Sequence, residues 1–308
     1  MTGFIAPLLI SCALVLPAVE ARAQAPRDPR AVSLLNAAMT ALSSGADIRD
    51  VTLTGTVTRT AGSQIETGTA TLQALGGVAG RIQMTLTDGP RSEVINQSQG
   101  ALAGQWSGPD GSQHAMAQHN ALVPAAWFFP ALVLAAALND PSVQLAYVGQ
   151  EMKGAVAVEH IQFWRVIPSG LSPDAAVKLF AHLTTADVYL TAANSLPVAL
   201  DFNVHPDSNE KLDIPVEIQY GGYQKINGIL LPAHVQKFMN NALLLDLNMA
   251  SATVNSGLPA SDFSVTAQDA GLKAPPGAVA PVSSPAAGRS GRTAGGDTRA
   301  TKAAGGGA

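Results

Sequence analysis

The chain has 308 residues, 47% of them hydrophobic and 13% charged, with a formal net charge of −4. This is ample apolar material for a sizeable core, and it excludes the basic surface that neutralises nucleic-acid phosphates, so nucleic acid is not expected as a partner. Length alone does not divide the chain, because all-β folds commonly pass about 200 residues as one domain.

Residues 1–25 read as a signal peptide. Phe4 to Val19 is an apolar run interrupted by Pro7 and Pro17, too short and broken for a membrane span, which takes about 20 apolar residues. Ala21-Arg22-Ala23 and Ala23-Gln24-Ala25 supply the small residues a signal peptidase requires, with cleavage favoured after Ala25. The competing readings are a retained N-terminal anchor and a lipoprotein attached through Cys12, the one cysteine. After cleavage at Ala25 the mature chain holds no cysteine, hence no disulfide, thiol nucleophile or Cys-based zinc site. The predicted location is the periplasm of a Gram-negative-type envelope.

Asp28-Pro29 starts a helix as cap and first-turn proline. Val32, Leu35, Met39 and Leu42 recur at helical spacing and Gly45 supplies the stop. From Asp50 the period becomes two: Val51, Leu53, Gly55 and Val57 alternate with threonines, giving a strand with a hydroxyl-bearing outer face. Further strands are predicted at about Gln64 to Leu75, Gly80 to Thr87, Ser92 to Ser98 and Ala101 to Ser107. Such spacing indicates a curved sheet or an open barrel, not alternating βα units.

Residues 121–138 are apolar on every side and divided by Pro124 and Pro130, predicting a helical turn and then a helix buried on more than one side. Strands resume near Gln144 to Met152 and Val156 to Ile167. Ser172-Pro173-Asp174 opens a helix whose apolar side is Ala176, Leu179, Phe180 and Leu183. A meander follows over residues 187–263. Val198, Leu200, Phe202 and Val204 share one face of a strand, as do Ile214, Val216, Ile218 and Tyr220, and later Leu243, Leu245, Leu247 and Met249. Asn227-Gly228 is suited to a two-residue hairpin. From residue 269 to 308 the Ala/Gly/Pro-rich tail buries too little apolar surface to offset its ordering entropy, and disorder is expected.

The stretches Val51 to Arg59 (VTLTGTVTR), Leu196-Pro197-Val198, Tyr220 to Pro232 (YGGYQKINGILLP), and Asn255-Ser256-Gly257-Leu258 followed by Phe263 resemble the LolA and LolB class of periplasmic lipoprotein carriers and the envelope proteins sharing that fold. The resemblance spans roughly residues 29–265. It implies a mainly β fold with a few helices (α+β), a curved antiparallel sheet forming an unclosed β-barrel over residues 26–268, with helices covering the concave face. It also implies an apolar cavity that takes acyl chains, and a last motif that closes the barrel. Carriers of this class use a buried arginine to hold the helices closed; Arg59 and Arg81 lie on predicted strands but in no matching motif.

Catalytic signatures are missing from the sequence: no G-x-S-x-G elbow, H-E-x-x-H, P-loop or dinucleotide fingerprint occurs. His114 and His119 are expected to face solvent in a Gly- and Gln-rich segment. Glu159 and His160, adjacent on a strand, face opposite ways. His205 to Asn209 reads as a turn whose Asp, Ser and Asn bond their own backbone. No enzyme, metal or cofactor is predicted. Two functional readings stand. One is a carrier for lipid, acyl chains or a lipoprotein, lined by Trp106, Trp127, Phe128, Phe129, Phe163 and Trp164. The other is an envelope protein-interaction module whose core fills itself. Free volume beneath the 121–138 segment separates them.

Overall fold

The first helix forms where the sequence places it. Asp28 takes the N-cap, its carboxylate accepting from the backbone N–H groups of Arg30 and Ala31 at 2.7 and 3.2 Å, and the helix, α1, spans Pro29–Ser43. Ser44 ends it in the left-handed region, with Gly45 following at φ 84°. The computed structural model describes residues 26–98, 102–167, 170 and 172–266. The signal sequence, Cys12, the first residue of the strand predicted from Ala101, and the Ala/Gly/Pro-rich tail lie outside the described residues.

Six strands follow: β1 Asp50–Ala61, β2 Gln64–Leu75, β3 Ala79–Leu86, β4 Gly89–Asn96, β5 Ala103–Ser107 and β6 Gln113–Ala115. A 3₁₀ turn at Gln118–Leu122 leads to α2, Pro130–Asn139. Next come β7 Val143–Lys153, β8 Val156–Arg165, α3 Asp174–Leu183, β9 Ala186–Thr191, β10 Pro197–Val204 and β11 Ile214–Gly221. A small hairpin, β12 Gln224–Ile226 and β13 Ile229–Leu231, precedes β14 His234–Met239 and β15 Ala242–Val254.

Thirteen strands make one sheet in the order β6-β5-β4-β3-β2-β1-β15-β14-β11-β10-β9-β8-β7. Every pairing is antiparallel. The sheet curves without closing, so β6 and β7 remain as edges. Its inner face carries Val51, Leu53, Leu72, Ile82, Ile161, Leu190, Leu200, Ile218 and Leu247, which join α1 and α2 in one core. This alternation is what the period-two pattern requires when only one face is covered. The hairpin β12–β13 turns at Asn227 and Gly228, with φ of 50° and 88°, the positive values that a two-residue hairpin requires. Its Ile229 and Leu231 enter the same core beside α1.

Bulges change two expected faces. The pairing of β10 with β9 slips between Pro197 and Ala199, which carries Val198 to an outer cluster with Val158, Tyr189 and Ala199, while Leu200 and Phe202 keep the inner face. A slip between Lys237 and Phe238 leaves Leu244, in place of Leu243, packed with Leu245 and Leu247. The extra residue of a bulge reverses side-chain parity locally. α3 also departs from expectation. Pro173, not Ser172, holds the N-cap position without a side-chain bond, and Leu183 alone is fully buried, because α3 lies against β8 and the 3₁₀ turn rather than over the core.

The closing motif does not shut the barrel. Asp50, buried at the start of β1, accepts from Ser256 N, Ser256 Oγ and Gly257 N at 2.8, 2.9 and 3.0 Å. The chain then crosses the outer face and buries Phe263 against Ala79 and Val94. Arg165, the last residue of β8, ties the two halves of the sheet, donating to Oε1 of Gln97, just after β4, at 2.9 Å and lying 3.7 Å from Asp140 at the end of α2. Gln97 in turn donates to the carbonyls of Ala121 and Val123. Arg27 adds a second tie, donating to the carbonyls of Ala137 and Leu138 at the end of α2. Of the arginines considered from sequence, Arg59 pairs with Glu66, and Arg81 reaches the Asp262 carbonyl near Phe263.

Candidate apolar ligand site

The segment between Pro124 and Pro130 fills the hollow. Its two prolines keep it out of regular helix, and turns closed by Trp127 N to Pro124 O and Phe129 N to Ala126 O pack three consecutive aromatic residues. Trp127, Phe128 and Phe129 are buried almost completely. The rings of Trp127 and Phe128 meet edge to face at 5.6 Å. Tyr220, on β11, donates its hydroxyl to the Trp127 carbonyl at 2.5 Å, and burial pushes that phenol well above its ordinary value. Phe163 shares this core, whereas Trp164, its neighbour on β8, belongs to the opposite, outer side of the strand.

Free space remains at one end of the hollow. A cavity of about 190 Å³ lies between the inner faces of β4, β5, β10 and β14, with Ile95, Trp106, Met116, Trp127, Phe202 and Lys237 among its lining. Trp106 stands on its rim, 43% exposed, stacked on His114 of β6 at 4.1 Å. Lys237 sits deep within it, 7% exposed, its ammonium 4.7 Å above the Trp127 ring. A cation over an indole face is an attractive pair, and no carboxylate lies within ion-pair distance of Lys237 among the described residues. A much smaller space, about 40 Å³, lies at the Arg165–Gln97 tie. The candidate residues therefore divide: Trp106 and Trp127 meet at the cavity, Phe128, Phe129 and Phe163 support it from the core, and Trp164 is apart.

Sequence reasoning did not single out Lys237. Its signal was present as a lysine in register with Val235 and Met239 on an inward-facing strand. The same inner face, nearer the β1–β2 turn, carries an ion triad. Arg91 binds Glu66 at 2.9 and 3.2 Å and Arg59 reaches it at 3.3 Å. The Arg91 guanidinium, with help from Arg59, holds the Glu66 carboxyl below its usual value. A depressed folded-state value means that the triad stabilises at neutral pH and that this contribution fades as acid protonates Glu66. Glu66→Gln is expected to cost about 1–2 kcal/mol at pH 7. In denaturant titrations at descending pH the gap from the parent should narrow below about pH 4.3; a constant gap to about pH 3 contradicts the triad.

Glu159 and His160 face opposite ways. Glu159 accepts from Tyr147 at 2.6 Å and pairs with Arg30, whereas His160 meets Glu151 and Asp187 on the other face. His205, in the turn after β10, is buried and donates toward Asp213 at 3.0 Å, and His119 packs edge-on against its ring at 5.8 Å. His119 Nε2 is buried without a partner, which corrects the solvent-facing expectation: the 3₁₀ turn folds back onto the β10–β11 connection. His114 does face solvent.

No protein-family model and no curated protein matches the chain. The structure is similar to a LolA superfamily protein from Nitrosomonas europaea, at 10% identity over 76% of this chain and 97% of that one, with a TM-score of 0.48. It is similar also to a DUF1329 family protein from Desulfovibrio piger, at 8% identity over 76% and 96%, with a TM-score of 0.47. Identities of this size bear on architecture alone. Among the described residues no helix is long and apolar enough to cross a membrane.

Proposed function

We propose that this protein is a non-enzymatic periplasmic carrier or binding protein for an amphiphile with an acyl chain, free or on a lipoprotein, entering at the Trp106–Lys237 end of the hollow. One observation carries this reading: a largely apolar cavity on the concave side, with Glu93 and Asp207 also in its lining, holds a buried lysine that forms no ion pair among the described residues. Apolar walls shelter methylenes at about 0.8 kcal/mol each, and the ammonium suits an anionic head. The cavity of about 190 Å³ is below the roughly 300–1,000 Å³ of ordinary ligand sites. Entry of a whole chain therefore requires Met116 and Trp106 to swing aside, and loosening the Arg165 tie favours it.

The filled interior favours a second reading, an envelope interaction module. With Trp127, Phe128 and Phe129 occupying the hollow, the same cavity would receive one apolar side chain of a partner protein.

Fluorescent probe titration separates the two. The purified protein is expected to bind a carboxylate-headed fatty-acid probe, with Lys237→Met weakening it about tenfold and leaving an uncharged apolar probe almost unaffected. Trp106→Ala, on the exposed rim, should weaken both, and Arg165→Met should speed uptake of both. Native mass spectrometry showing bare polypeptide, together with no binding of either probe, defeats the carrier reading.

A further inference from the structure

Half of the six histidines in the chain gather in one place. His182 ends α3, His205 follows β10, and His119 lies in the 3₁₀ turn; the His182 and His119 rings each stand 5.8 Å from that of His205. Asp213, immediately before β11, accepts from both His182 Nε2 at 2.8 Å and His205 Nε2 at 3.0 Å, and does so through the same oxygen, Oδ1. We infer that His182, His205 and Asp213 form a divalent transition-metal site, with Zn²⁺ as the fitting ion.

The geometry is close to what such an ion requires. The three donor atoms all lie within 4.8 Å of one another. At Zn–N and Zn–O lengths of about 2.0–2.2 Å, neighbouring ligands of a tetrahedral ion stand roughly 3.3 Å apart, so the two short contacts need to open by only a few tenths of an ångström. Two imidazoles and one carboxylate suit zinc far better than magnesium or calcium, which prefer all-oxygen shells. The site is anchored before any ion arrives. Asn120 grips His205 through both backbone groups, accepting from its N–H at 2.8 Å and donating to its carbonyl at 2.7 Å.

His205 is the inner ligand, its side chain 1% exposed, while His182 and Asp213 are 45% and 42% exposed. That leaves the fourth position facing water. The ion would tie the last turn of α3 to the β10–β11 connection, and α3 is the helix with the least burial of its own.

The test uses the full purified protein, stripped with chelator and titrated with Zn²⁺ against a chromophoric competitor. One tightly bound equivalent is expected, with a rise in melting temperature, and no competition from Mg²⁺ or Ca²⁺. Because burying alanine at 205 risks unfolding, the informative variants are the exposed ligands. His182→Ala and Asp213→Asn should keep the melting temperature of the metal-free parent, lose the zinc-dependent rise, and bind zinc at least about a hundredfold more weakly. His114→Ala, on the other side of the cavity, should behave as the parent. Substoichiometric zinc in the parent, or zinc affinity unchanged in both ligand variants, overturns the site.

Discussion

Replacing Phe129 by alanine is expected to lower unfolding stability by about 3–5 kcal/mol, the range for a buried aromatic ring removed from a packed core. Phe129 is fully buried, and its backbone does two further jobs. Its N–H closes a turn onto Ala126 O and its carbonyl receives the first bond of α2 from Leu132 N. Alanine keeps those bonds, so the loss isolates the ring. The surrounding ring and aliphatic groups belong to α2, β1 and the adjoining strands of one core, and the inner sheet cannot collapse inward without breaking its ladder. Residual cavity volume, and therefore cost, should be high in the range. Urea titration should show a lower midpoint with unchanged slope. A loss below about 1 kcal/mol would mean that the aromatic segment is not the keystone of the core.

That segment was the most legible part of the function-bearing region, because eighteen nearly uninterrupted apolar residues cannot face water and two prolines divide them. The strands were legible for the same kind of reason: Val51, Leu53 and Val57 or Val216, Ile218 and Tyr220 repeat with period two, and each set does join the core. What failed was local. A bulge costs one residue and leaves no mark in the hydrophobic pattern, so Val198 and Leu243 were assigned to the wrong sides. The site was only half legible. Aromatic residues announce burial, but Trp106 and Trp164 stand on inward and outward sides for reasons of register. Lys237 carries no sign of burial in the sequence, and its place on the inner face follows from the pairing of β14 with β11 and β15. The histidine cluster could not be read at all, since its members lie on the 3₁₀ turn, α3 and the β10–β11 connection, brought together by tertiary folding alone. The tie at Arg165 was hidden likewise, because its partners Gln97 and Asp140 lie just after β4 and at the end of α2, far from β8 in sequence.

Gly80→Ala should be nearly as damaging for a different reason, and it tests how the aromatic segment is seated. Gly80 is on the inner face of β3, paired with Ile95 and Ala74. A Cβ there would lie 1.9 Å from the Ala125 carbonyl oxygen and 2.7 Å from its carbonyl carbon. Both are backbone atoms, so no side-chain rotation relieves the clash; either β3 or the 124–129 turn must move. Ala125 and Ala126 are buried just before the three aromatic rings, and a shift of that turn displaces Trp127 from the Tyr220 hydroxyl and from the Lys237 ammonium. The expected cost is at the upper end of the about 1–3 kcal/mol for overpacking. The accompanying signature is more specific than the loss itself. Because Trp127 is the floor of the cavity, Gly80→Ala should change its fluorescence and alter fatty-acid probe affinity. Gly62→Ala gives the comparison, lying at a turn with open space around it; its positive φ of 62° costs backbone strain without touching the hollow. If the two variants lose equal stability and share a parental tryptophan spectrum, the close approach of β3 to the aromatic turn is not what seats it.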